Sequence, residues 1–171
     1  MSANACCFTG HRNIRREDET IIREKLREQI IKELDYGVTT FLVGGAIGFD
    51  MLAAEVLLDL RDKEGKIFHL ISVLPYPEWR SKWAEEEKIR EDRILERSDE
   101  VIFSKVKNRR RSYLDRDRIM VDRSSACISW CTRETGGTAY TIRYAMKQGV
   151  RVKNLADWDV LKLMERMDRN G

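Results

Sequence analysis

The 171-residue chain is short of several things, and each shortage narrows what it can be. No window approaches the ~18 uninterrupted apolar residues of a membrane-spanning helix, so no membrane association is expected. The first residues, MSANACCFTGHR, lack the basic start and apolar core of a secretory signal, which makes the cytoplasm the expected location. The four cysteines are too sparse over this length for a disulfide framework. Cys6 and Cys7 are adjacent, Cys127 and Cys131 sit in a second apolar run, and neither pair has the C-x₂-C spacing of a zinc site. Only His11 and His69 could complete such a site, so no metal is expected and the thiols should be buried and reduced. No repeat, low-complexity tract or linker interrupts the sequence. It reads as one domain over residues 1–171, long enough to bury a core.

What is present is a heavily charged surface around an apolar interior, with 36% charged and 42% hydrophobic residues. The formal charge of +3 does not demand nucleic acid, but it is unevenly placed. The segment KVKNRRRSYLDRDR (105–118) holds seven Lys/Arg against Asp115 and Asp117, a local +5 that leaves −2 for the remainder. That segment is either a solvated loop or an anion-facing one.

Short apolar runs alternate with helical patterns. Strands are expected at 5–9, 38–44, 67–75, 100–104, 126–131 and 150–155. Helices are expected at 18–36, 50–61, 77–97 and 113–124, then from an N-cap at Thr138 to Gly149, and at 158–168. In the first helix Ile22, Leu26, Ile30 and Leu34 recur at four-residue steps, with Gly37 closing it. The second is apolar nearly all round, the mark of a buried helix. Continuous apolar strands separated by helices predict an α/β fold: a three-layer, Rossmann-like, open and mostly parallel sheet of about six strands, with helices on both faces. Ligands bind such sheets at the carboxyl ends of the strands, where strand order reverses.

Three strand ends carry unusual loops: Thr9-Gly10-His11-Arg12, Gly44-Gly45-Ala46-Ile47-Gly48-Phe49-Asp50 and Thr135-Gly136-Gly137-Thr138. Each precedes a helix, whose first amides are unpaired and whose dipole is positive, and glycine lets a phosphate reach them. In the second loop three glycines exceed what a tight turn needs, which favours close approach of a ligand over turn chemistry alone. The loop has neither the G-x-G-x-x-G pattern nor the G-K-[ST] ending of a nucleoside triphosphatase. Asp50 could cap the second helix or bond ligand hydroxyls. His11 could be a base or a phosphate donor, although a lone histidine is more often neither. Trp79 and Trp83, four apart on one helical face, read as a core stripe before they read as a base-stacking platform.

Taken in order, FTGHR, VGGAIGFDMLAAE, LPYPEW, RDRIMVDRSSACI and TGGTAYTIRYA resemble the YpsA-like proteins of the SLOG superfamily. That superfamily joins the DNA-processing protein DprA with the LOG cytokinin-activating enzymes. The resemblance spans residues 6–156 and implies a Rossmann-like fold that binds a nucleotide or an ADP-ribose-like, nucleotide-derived ligand. It carries an arginine role onto Arg116, four residues before Met120, and a glycine–threonine motif onto Gly136, Gly137 and Thr138. In LOG enzymes these act with a glutamate on the N-glycosidic bond of nucleoside monophosphates. Here Ala139, Tyr140 and Thr141 stand where that glutamate would be, leaving Asp50, Asp122 or Glu134 as possible substitutes. The expected function is therefore nucleotide-ligand binding or sensing, with LOG-like hydrolysis through Arg116 as the alternative and DprA-like DNA binding, through Arg109, Arg110 and Arg111, as the least favoured. Flat α/β domains of this size commonly pair through exposed helices, so a homodimer is the expected assembly.

Overall fold

The structure is a computed structural model that describes residues 4–165. Six strands form one sheet: β1 (Ala5–Gly10), β2 (Thr40–Val43), β3 (His69–Leu74), β4 (Glu100–Phe103), β5 (Ala126–Trp130) and β6 (Arg151–Asn154). Their order is β4-β3-β2-β1-β5-β6 and every pairing is parallel. The chain builds outward from β1 to β4, then crosses back to lay β5 on the other side of β1. Strand order thus reverses between β1 and β5.

Five helices connect the strands: α1 (Glu19–Asp35), α2 (Phe49–Glu64), α3 (Glu85–Arg97), α4 (Arg109–Asp122) and α5 (Gly137–Lys147). Crossovers of one hand place helices that move the chain one way on one face and those that move it back on the other. α1 packs on α2 and α2 on α3, whereas α4 packs on α5 across the sheet. Strand alternation feeds both layers: Cys6 and Phe8 join the α1–α2 core, while Ala5 and Cys7 join the core beneath α4 and α5. Cys6, Cys7, Cys127 and Cys131 are buried and free. No described helix is long and apolar enough to cross a membrane.

The anticipated stripe holds, with Ile22, Leu26 and Ile30 fully buried, and α2 is buried on nearly every side. α2 runs three residues past its expected end, to Glu64, and three further boundaries differ. Residues 77–83 form successive tight turns rather than helix, and α3 starts only at Glu85. Pro75 and Pro77 restrict the backbone here, and Trp79 and Trp83 meet edge to face at 6.0 Å instead of as a helical stripe. α4 starts four residues early, because the Asn108 side chain accepts the Arg111 N–H at 3.0 Å and caps it. The basic triplet Arg109–Arg111 therefore lies on a helix, not in a loop. The last expected helix (158–168) begins only at 162: residues 158–161 form a bend and a turn, 162–165 are helical, and 166–168 lie outside the described residues.

Candidate functional site

A cleft of about 280 Å³ opens at the carboxyl ends of the strands, over the reversal between β1 and β5. The loops after β1, β2 and β5 all reach it. Of the expected residues, Thr9, Gly10, His11, Arg12, Gly44, Gly45, Asp50, Arg116, Gly137 and Thr138 line it. Gly48 and Gly136 are not among the lining residues, although Gly136 is exposed next to Gly137.

The β2–α2 loop is closed by the protein's own groups. Asp50 does not cap α2, whose N-cap is Gly48. Its carboxylate oxygen Oδ2 instead turns back to accept the Gly44 and Ala46 amides at 2.9 and 3.1 Å. The loop's carbonyls are engaged as well. Gly44 accepts from Arg116 Nη1, and Gly45 accepts the Trp79 indole N–H at 2.7 Å. The glycines here have internal reasons. Gly48 has φ +88°, and a Cβ on it would lie 2.3 Å from the Arg12 carbonyl oxygen. A Cβ on Gly45 would lie 2.4 Å from Leu74. The close approach anticipated for a ligand is made by neighbouring protein atoms, and the Gly44 and Ala46 amides are already occupied.

Behind this loop sits a buried carboxyl pair. Burial, against the pull of the two amides, pushes Asp50 up to about 6. Glu91 on α3 is 1% exposed, its Oε1 has no hydrogen-bond partner, and burial plus the nearby Asp50 charge push it up to about 8. At neutral pH Glu91 is therefore mostly protonated.

The β1 loop is a clamp. The Phe49 N–H donates to the His11 carbonyl at 3.1 Å, and His11 Nε2 accepts the Thr132 N–H at 2.9 Å, tying the β1 and β5 loops together. Accepting at Nε2 requires the neutral ring, which burial and the Arg133 charge favour by lowering its pKa.

The β5–α5 loop is the open one. Gly136 caps α5 at φ +97°, a position Thr138 was expected to hold, and Thr138 falls in the first turn. A Cβ on Gly137 would meet nothing within 4 Å. The first amides of an α-helix lack intrahelical partners and face the positive end of its dipole. Arg12, Arg116 and Arg133 line the same cleft.

Arg116 is buried, bonded through Nη1 to Gly44 and through Nε to Asp117 Oδ1 at 2.7 Å. Asp117 and Arg133 escaped the sequence analysis as site residues. Asp117 had been counted only as charge in a basic run, and Arg133 lay outside the glycine motif. The immediate pairing of Arg116 with Asp117 was the available signal. Of the carboxylates considered as substitutes, Asp50 reaches the cleft, whereas Asp122 accepts from Tyr144 away from it and Glu134 is not in its lining.

An all-parallel sheet with a cleft at its strand-order reversal defines a Rossmann-like α/β protein. More narrowly, the chain belongs to the YspA SLOG family, whose model it matches over residues 6–163. UPF0398 protein BH1768 of Halalkalibacterium halodurans is 33% identical over 90 residues, covering 53% of this chain and 44% of that protein. The match thus spans less than half of that relative. DNA processing protein A from Streptococcus pneumoniae has a TM-score of 0.64 at 16% identity, over 98% of this chain and 56% of that one. The Helicobacter pylori protein, described for its single-stranded DNA binding mode, scores 0.61 at 18% identity, over 95% of this chain and 72% of that one. At these identities the likeness is one of fold.

Proposed function

We propose that this protein binds a nucleotide or nucleotide-derived phosphorylated ligand in the β1–β5 cleft, with the phosphate against the start of α5. The observation that carries this is the open turn at Gly136–Gly137, which leaves the first-turn amides uncrowded beside Arg133 and Arg12. Arg116 donates through Nε and Nη1 to its own chain, which leaves Nη2 to meet the ligand. Trp79 and Tyr113 add aromatic surface for a base.

Binding is favoured over hydrolysis of the N-glycosidic bond. Cleavage needs a carboxylate free to stabilise positive charge at the sugar or activate water; of the two in the lining, Asp50 is bound to two amides and Asp117 is paired with Arg116. DNA binding rests on the exposed Arg109–Arg111, with Arg109 stacked 4.9 Å from the Tyr76 ring, which packs on the cleft-lining Tyr113. Such binding would weaken steeply with salt and with loss of the triplet.

Thermal denaturation with AMP, ADP, ADP-ribose or inorganic phosphate tests the proposal. A saturable stabilisation by at least one nucleotide is expected, about 2.7 kcal/mol at a hundredfold excess over Kd. Arg133→Ala should reduce it. No stabilisation by any of them, with steeply salt-dependent affinity for single-stranded DNA, would overturn the proposal.

A further inference from the structure

We infer that Asp117 is a ribose-recognising carboxylate, and that the cleft selects ligands with free 2′- and 3′-hydroxyls over their deoxy counterparts. This deepens the nucleotide-binding reading and rests on it.

A cleft that only held an anion would be lined by donors. This one also carries Asp117, whose side chain retains 14% exposure. An ionised carboxylate only accepts hydrogen bonds, and it repels phosphate. Its presence beside Arg12, Arg116 and Arg133 calls for a ligand that brings both negative charge and hydrogen-bond donors. Vicinal sugar hydroxyls supply those donors.

The placement fits a nucleotide. Thr141 Oγ1 lies 3.1 Å from Asp117 Oδ2 and 2.9 Å from the Gly137 carbonyl oxygen, and its single proton is shared between these two acceptors. Asp117 is thus no more than two hydrogen-bond lengths from the first residue of α5, a gap that a 5′-phosphate and the hydroxyls of the same ribose can span. The carboxylate is also held still, since Arg116 grips Oδ1 while anchored to the Gly44 carbonyl. Oδ1 takes the Arg116 Nε–H, Oδ2 at most shares the Thr141 proton, and each keeps a lone pair for the ligand. Asp50, the other carboxylate in the lining, accepts two amides on one oxygen and is buried. Among the described lining residues, Asp117 alone combines exposure to the cleft with this spare capacity.

Titration calorimetry of the whole chain with matched pairs (AMP and dAMP, GMP and dGMP, CMP and dCMP) tests the inference. For the base that binds best, the ribonucleotide should bind about tenfold or more tightly than its deoxy partner, as expected for one hydrogen bond to a charged group. Asp117→Asn should bring the pair within about twofold. Thr141→Ala, which removes a donor that orients Asp117, should narrow the ratio while leaving the phosphate-facing residues in place. Equal affinity of the unaltered protein for both members, or a ratio unmoved by either variant, overturns the role of Asp117 and leaves nucleotide binding intact. Failure of every nucleotide to bind overturns both.

Discussion

Two glycine-rich loops of this protein read alike as sequence and behave as opposites. Residues 44–48 and 135–138 each join a parallel strand to a helix at the same edge of the sheet. In the first, amides are taken by Asp50, carbonyls by Arg116 and Trp79, and the space beside Gly45 and Gly48 by Leu74 and the Arg12 carbonyl. In the second, the space beside Gly137 is empty. A glycine therefore marks close approach without saying what approaches. The first loop is a structural joint between β1, β2 and α2, and the second is where a ligand can be admitted.

The sharpest way to break this contrast is to add a methyl group to each loop. Gly48→Ala places a Cβ against backbone at φ +88°, so it combines left-handed strain with a clash that no side chain can relieve. A loss of at least about 3 kcal/mol is expected, read as a fall of about 10 °C in Tm. A fall below about 2 °C would mean that the joint is loose.

An intermediate effect comes from the carboxyl pair behind the joint. Glu91 keeps its proton in the folded state up to about pH 8, whereas the unfolded chain releases it near its ordinary 4.5. Between those values the folded state binds more protons, so stability falls as pH rises. Asp50 adds the same sign only between 3.8 and about 6. From pH 6.5 to 8 the wild type should therefore lose up to about 1.4 kcal/mol per pH unit, while Glu91→Gln should be flatter. Identical slopes in denaturant titrations would show that Glu91 is already ionised and solvated.

The smallest effect on stability belongs to the open loop. Gly137→Ala meets no neighbour and adds a good helix former, so stability should change by no more than about 1 kcal/mol. Nucleotide affinity should nevertheless fall about tenfold, because the new methyl group stands where the phosphate is expected. Unchanged affinity would move the anion away from this loop.

Much of the fold was legible beforehand, for local reasons. Apolar strand runs and four-residue helical steps reflect burial that each segment carries in itself, and all six strands fall within two residues of their expected limits. The site was legible only as a place. Its polarity depends on partners distant in sequence, since Gly45 is sealed by Trp79 and Gly44 by Arg116. No local pattern separates those glycines from Gly137. Asp117 was hidden by the opposite effect: its neighbours in sequence form a basic run, and only folding turns it towards Thr141 and the cleft. The start of α3 was missed because charge and tryptophan spacing suggested a helix, where two prolines and the seating of Trp79 against Gly45 impose turns.

The division between the two loops is tested most directly by backbone amide NMR during titration with AMP. Resonances of Gly137, Thr138 and Ala139 should shift progressively with ligand, while those of Gly44 and Ala46, held by Asp50, should stay nearly fixed. Large shifts at Gly44 and Ala46 with none at the start of α5 would contradict the account.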